Sequence, residues 1–174
     1  AVSMAAASGN TLLTDEKGLP LTNIISWLDK RGETECPQTL KIFSIKEVHQ
    51  ISGWPCVDSF PIAHLAWLKE NSAELFQNAG HICMNTDWLL FRLTGKWAMD
   101  YSTATTFHLQ DQVSRRYHGP FLKILGIPEE KLSKLMPSGK PVGTLTGQAL
   151  KDTGLSPETQ VISGCFDHPA AARA

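Results

Sequence analysis

The sequence predicts an α/β fold with a buried sheet. Strand-like and helix-like stretches alternate along the chain, and the last strand, around Val161 and Ile162, is strongly apolar. At 174 residues, with 42% hydrophobic and 19% charged residues, the chain is long and apolar enough for one domain with a real core.

The elements follow in order. "AVSMAAASGNTLLTDEKGLPL" reads as two strands with a polar turn at Asp15–Gly18. "NIISWLDKRGET" continues with a short strand and then polar residues. "TLKIFSIKEVHQISG" is helical and stops at Gly53. In "FPIAHLAWLKENSAELFQNAG", Ile62, Leu65 and Leu68 recur at threes, which predicts an amphipathic helix. It breaks at Asn71–Ser72, and a short helix follows. "HICMNTDWLLFRLTG" is a strand and then a helix, with Thr86 placed to cap it, Asp87 in its first turn and Gly95 at its end. "GPFLKILGIPEEKLSKL" predicts two short helices divided at Gly126–Pro128. "TLTGQALKDTGLSPETQVISG" is a helix, a stop at Gly154, and the strand leading to Asp167.

Several function classes are disfavoured. A net charge of −1 leaves no electrostatic footprint for nucleic acid. No run of about 18 apolar residues exists to span a membrane, and no basic segment precedes an apolar one as in a secretory signal. Ala1 opens inside a strand, which is expected of a chain whose natural start lies further upstream. The four cysteines, Cys36, Cys56, Cys83 and Cys165, form no C-x-x-C pair. Reduced thiols in a cytoplasm fit that spread better than a zinc site or a disulfide framework. No metal site is expected.

The closing stretch, "SGCFDHPAAARA", carries the sharpest candidate. Asp167 stands between an apolar strand and an alanine-rich helix with Pro169 in its first turn. It reads as a helix cap. That reading is compatible with a second, a carboxylate at a strand end, fixed in direction and open to a ligand, as a base for a substrate hydroxyl must be. His168 either orients a substrate or simply begins the helix. Cys165 with His168 suggests a thiol nucleophile and its base, the pattern of a thiol hydrolase, although the second glycine of a nucleophile elbow is absent. Cys165, Asp167 and His168 do not make a complete metal ligand set. "AAASGN", with Ser8, Gly9 and Asn10, is a small-residue turn where backbone amides could approach a ligand, but it lacks both Walker and G-x-G-x-x-G spacing. Trp27 either stacks on a ligand or packs in the core.

"SFPIAHLAWLKEN" resembles the first signature of the FGGY carbohydrate kinases, the family of glycerol, xylulose, ribulose and gluconate kinases. Ser59, Pro61, Leu65, Trp67, Leu68, Glu70 and Asn71 fall on permitted types, and His64 stands where lysine is usual. "TDWLLFRLTGKWAMDYSTAT" is similar to the family's Leu-Thr-Gly turn (Leu93, Thr94, Gly95) followed by Asp-x-Ser (Asp100, Ser102). "GIPEEKLSKLMPSGKPVGTLTGQALKDTGL" is similar to the family's run toward the active site. "VISGCFDHPAAARA" matches its Gly-x-x-Asp followed by small helical residues. The motifs occur in the family's order from about Ala1 to Ala174.

The resemblance implies a ribonuclease H-like fold of the actin/hexokinase type, of which residues 1–174 form an incomplete first domain, the sugar-binding one. It implies that the opening phosphate-binding hairpin and the nucleotide-binding second domain lie outside this sequence, and with them most of the contacts to ATP and Mg2+. It assigns Asp167 as the base that takes the proton of the attacking sugar hydroxyl. It places His168, where relatives often carry an amide, against the sugar, and Trp27 against the substrate's carbon chain. Ser8, Gly9 and Asn10 fall where glycerol kinases carry Arg–Glu and xylulose kinases Met–His. Asp58 and Ser59 fall near a tyrosine that reaches glycerol in relatives. Those departures disfavour glycerol and favour a ketose or sugar acid. The expected partner is a small sugar or polyol, with no nucleic acid and no membrane, and a homodimer is allowed for the full-length form. The departures at His64 and His168 also admit a sugar-binding or regulatory member of the fold that does not transfer phosphate.

Overall fold

The computed structural model describes residues 1–173. In chain order the elements are β1 (Val2–Ala6), β2 (Leu12–Thr14), α1 (Glu35–Thr39), α2 (Ile45–Ser52), α3 (Pro61–Asn71), α4 (Ala73–Asn78) and β3 (His81–Cys83). There follow α5 (Asn85–Thr94), β4 (Ala98–Asp100), α6 (Tyr101–Phe107), β5 (Gln110–Asp111), β6 (Arg116–Tyr117) and α7 (Gly119–Leu125). The last are β7 (Lys134–Met136), β8 (Pro141–Thr144), α8 (Gly147–Thr153), β9 (Gln160–Phe166) and α9 (Asp167–Arg173).

Strand β9 is the spine. It lies between β1, to which it is parallel, and β8, to which it is antiparallel. The parallel register pairs Ala5 with Cys165 and Ala6 with Phe166, so both strands end at the same edge. The turn after β1 and the first residues of α9 therefore emerge side by side, at the carboxyl ends of parallel strands where α/β folds bind ligands. Gly164 makes this pairing possible. A Cβ there would come within 1.7 Å of the Met4 carbonyl oxygen, so no other residue fits without moving β1. The remaining pairs are β2–β3 and β5–β6, both antiparallel, and β4–β7, parallel.

Two apolar clusters hold these layers. The larger joins Leu13, Ile62, Leu65, Ile82, Phe107 and Phe121. The smaller packs Leu90, Val142, Leu145 and Val161 against Val2 and Met4 of β1. The sheet is not buried on both faces, as its apolar last strand suggested. In β1 the half-buried Val2, Met4 and Ala6 alternate with the exposed Ser3 and Ala5. Among the described residues, no helix is long and apolar enough to cross a membrane.

Several local expectations need correction. The stretch before Trp27 forms no strand, because Ile25 makes only an isolated bridge with Thr11. The helix expected from Thr39 starts at Ile45, since Ser44 and Glu47 form a reciprocal cap: the Ser44 hydroxyl accepts the Glu47 N–H, and the Glu47 carboxylate accepts the Ser44 N–H. Thr86 does not cap α5. The helix begins at Asn85, and the Asp87 carboxylate accepts the Met84 N–H at 2.7 Å, doing the capping from inside the first turn. The second helix expected after Gly126 is only a 3-10 turn, Glu129–Lys131, followed by β7. The segments α1, β4, α6, β7, β8 and the β5–β6 hairpin were not anticipated, all being too short to show a period.

Candidate functional site

Where β1 and β9 end, a cavity of about 190 Å3 opens, lined by Ala7, Ser8, Trp27, Trp54, Phe60, Thr106, Phe166, Asp167 and His168. It is smaller than the roughly 300–1,000 Å3 of typical ligand pockets, which suits a small ligand. Its walls are aromatic, with Trp54 and Phe60 packed edge to face at 5.4 Å between ring centroids.

Asp167 is the first residue of α9, one place inside the expected cap position. Its Oδ1 accepts the His168 N–H at 2.9 Å, and its side chain is 44% exposed. The carboxylate is thus oriented by the backbone that follows it and still open to the cavity. The His168 ring stands over Phe166, 5.0 Å between centroids, with most of its surface free.

The strand end beneath Asp167 is anchored from α6. Asp100, nearly buried, caps that helix by accepting the N–H groups of Ser102 and Thr103 and both of their hydroxyls. Ser138 donates to the same carboxylate at 3.0 Å. The Ser102 oxygen in turn accepts the Phe166 N–H.

Trp27 is held at the rim by its backbone. Its N–H donates to Asn10 Oδ1 at 3.2 Å, and Asn10 Nδ2 donates to Asn85 Oδ1 and the Ala7 carbonyl. The Gly9 N–H donates to Thr106 Oγ1 at 3.1 Å. Gly9 has φ +75°, and a Cβ there would sit 3.2 Å from the Trp27 Cβ, so the turn needs glycine on both counts. Gly9 and Asn10 therefore stand behind the wall rather than in it. Of their triplet, only Ser8 lines the cavity. Asp58 and Ser59 are not wall residues either; Trp54 and Phe60, on the same loop, present their rings instead.

His64 is fully buried in α3. Its Nε2 lies 3.0 Å from the Asp29 carbonyl and its Nδ1 3.0 Å from Thr11 Oγ1. Burial holds its pKa below the ordinary histidine range, so the ring is neutral. A carbonyl only accepts, so Nε2 carries the hydrogen and Nδ1 accepts from Thr11. The Arg31 guanidinium, paired to the Asp29 carboxylate at 2.6 Å, holds that acid down to about 2. The departure at His64 thus ties Thr11, just before β2, to the loop that carries Trp27.

Cys165 and His168 line different cavities. Cys165 lines a space of about 10 Å3 shared with Met4, Thr86, Asp100 and Thr103. Nothing in this geometry pairs the thiol with the imidazole.

Sequence reasoning missed Trp54, Phe60 and Thr106. The first two carried a readable signal: two aromatics in "GWPCVDSF", a Gly/Pro loop with no helical period to bury them. Thr106 carried none.

The model of the FGGY family of carbohydrate kinases, N-terminal domain, matches residues 1–173. The chain belongs to this family. Gluconokinase of Bacillus subtilis is 25% identical over 166 residues, 95% of this chain and 32% of the relative. L-fuculokinase of Escherichia coli K12 is 30% identical over 155 residues, 89% of this chain and 33% of the relative. The crystal structure of gluconate kinase from Lactobacillus acidophilus superposes with a TM-score of 0.89 at 24% identity, covering 96% of this chain and 34% of that one. The fold is the actin/hexokinase-like fold of the FGGY kinases. This FGGY chain spans about a third of the length of the relatives it matches.

Proposed function

We propose that this chain forms the sugar-binding part of an ATP-dependent kinase, which phosphorylates a hydroxyl of a ketose, polyol or sugar acid with Asp167 as base. One observation carries the reading: a half-exposed carboxylate, fixed at a strand-to-helix junction, borders a small aromatic-walled cavity in a chain of the FGGY family.

The aromatic rings of Trp27, Trp54 and Phe60 offer flat apolar faces to the C–H face of a sugar. Thr106 is already committed, donating to the Thr103 carbonyl and accepting the Gly9 N–H. Ser8, Asp167 and His168 remain among the polar groups for hydroxyls. Asp167 accepts a hydrogen bond from the reacting hydroxyl, fixes its lone pair toward the phosphoryl group, and takes the proton as the new O–P bond forms. ATP supplies the phosphoryl group and leaves as ADP.

Among the described residues, no three His, Cys, Asp or Glu side chains are grouped to hold a metal ion. Asp167 alone is not a donor set for Mg2+. We place Mg2+ and most ATP contacts on segments outside residues 1–174, together with the phosphate-binding hairpin and second domain, and the whole enzyme in the cytoplasm.

The test is a panel of ketoses, polyols and sugar acids offered with Mg-ATP to the whole protein that carries this chain. Saturable phosphorylation of one class is expected. Sugar binding without any phosphoryl transfer would favour a non-catalytic member of the fold instead.

A further inference from the structure

The loop that supplies two walls of the cavity also carries a thiol poised against another. Cys56 is exposed, two residues after Trp54 and four before Phe60. Its Sγ lies 3.3 Å from Cys36 Sγ. Cys36 is 1% exposed on α1, in the large apolar cluster with residues of α3. One sulfur is thus open to solvent on a loop, and the other is anchored in the core.

We propose that Cys56 and Cys36 are an oxidative modification site: a hydroperoxide oxidises Cys56, and Cys36 resolves the product as a disulfide that draws the Trp54–Phe60 loop toward α1.

The chemistry balances. The Cys56 thiolate attacks one peroxide oxygen and the O–O bond breaks, leaving a sulfenic acid and, after protonation, water or an alcohol. The Cys36 sulfur then attacks the sulfenic sulfur, the S–O bond breaks, and Cys36 loses its proton as water leaves. Two thiols are oxidised by two electrons, and one hydroperoxide is reduced. The local environment favours Cys56 as the first nucleophile. The hydrogen bond from Cys36 brings the Cys56 thiol down to about 7, against its partial burial and the nearby Asp58 charge. The same bond, with deeper burial, pushes Cys36 up, so it remains a protonated resolving thiol. A disulfide needs its sulfurs at about 2.05 Å. Closing from 3.3 Å moves the exposed partner, because the other is packed. Trp54 and Phe60 travel with it.

The disulfide does not depend on the cavity being a sugar site; only its effect on affinity rests on that reading. The whole protein is treated with hydrogen peroxide, digested without reduction and mapped by mass spectrometry. A Cys36–Cys56 cross-link two hydrogens lighter than the paired thiols, reversed by dithiothreitol and absent in Cys56→Ser, is expected. A stable sulfenic or sulfinic acid on Cys56 with Cys36 still reduced would overturn the resolving role. Oxidation confined to Cys165 would overturn the site. For the coupled effect, the KM for the identified sugar is expected to change at least about threefold on oxidation and to return on reduction. Cys56→Ser, matched to the parent in melting temperature, should show no such change. A full cross-link with unaltered KM would show that the loop does not communicate with the cavity.

Discussion

The oxygen of Ser102 accepts the Phe166 N–H at 3.2 Å while its own hydrogen goes to the Asp100 carboxylate. Ser102 lies in α6 and Phe166 ends β9, so this bond fixes the strand end one residue before Asp167. Buried or nearly buried amides that lose their acceptor are costly, which makes the pair a structural lever on the site.

Ser102→Ala should therefore act at a distance. It leaves the Phe166 N–H without its acceptor, at an expected cost of about 1–3 kcal/mol of stability. The expected kinetic signature is a lower kcat with a smaller change in sugar KM, because the base is displaced more than the walls. Ser102→Thr keeps the oxygen and should restore most of the loss. Chemical denaturation and steady-state kinetics on the three proteins check both parts, and equal KM and kcat effects would argue against a role through Asp167.

Asp167→Asn separates a structural role from that of base. Asparagine keeps an oxygen in place to accept the His168 N–H, so the melting curve should match the parent. Loss of a general base costs about 10²–10⁴-fold in rate, roughly 3–5 kcal/mol of barrier. The variant should fold, retain sugar binding in a titration, and turn over very slowly. Near-parental turnover with a matched melting curve would make the carboxylate structural.

Asn10→Ala should loosen Trp27. The substitution removes the acceptor of the Trp27 N–H and the donor to Asn85. With the ring less well placed and Asp167 untouched, KM for the sugar should rise by about tenfold, roughly 1.4 kcal/mol, while kcat changes little. Trp27→Ala made alone should reproduce that KM, and the double variant should add nothing further, since both act through one ring.

Stability should fall in mild acid. Burial holds His81 down to about 4 and His108 down to about 3, so both are neutral in the folded protein. Once unfolded they bind protons below about pH 6.5, where the folded protein does not. The unfolded state gains protons first, so stability present above pH 6.5 is lost progressively toward pH 4 and below. Asp87 works in the opposite sense. Its burial raises it to about 7, so as pH rises from about 4 to 7 the unfolded state ionises first and stability declines. Denaturant midpoints measured from pH 8 to pH 4 should show the histidine loss set against the Asp87 gain. His108→Asn should make the acid fall shallower, asparagine being tolerated at that positive φ of 61°. An unchanged slope would show that His108 is not among the groups responsible.

Much of the fold was legible because its longer elements carry periods and punctuation. Helix α3 showed its apolar threes, although it is buried on nearly every side from Pro61 to Ala66 rather than amphipathic; α8 and β9 were bounded by Gly154 and the Asp167 junction, and the Asp15–Gly18 turn followed from its residues. The short elements were not legible. Strand β4 and helix α6 meet at Asp100, and three or seven residues do not establish a period. Their existence depends on tertiary pairing with β7 and on the cap that Asp100 supplies.

By itself the sequence determined the family, through motifs that hold their order, and singled out Asp167 at a strand-to-helix junction. Only the tertiary structure decided what surrounds that carboxylate. Parallel pairing of β1 with β9 brought residues about 160 positions apart to one edge, and the loop after α2 turned Trp54 and Phe60 toward them while Asp58 and Ser59 stayed out of the wall. It also turned His64 from a departure in a motif into a buried bridge between Thr11 and Asp29. The physical reason is the range of each effect. Caps, turns and helical periods are local and can be read along the chain, whereas the direction of a side chain and its partner across space are set by which distant backbones must pair and which surfaces must leave water.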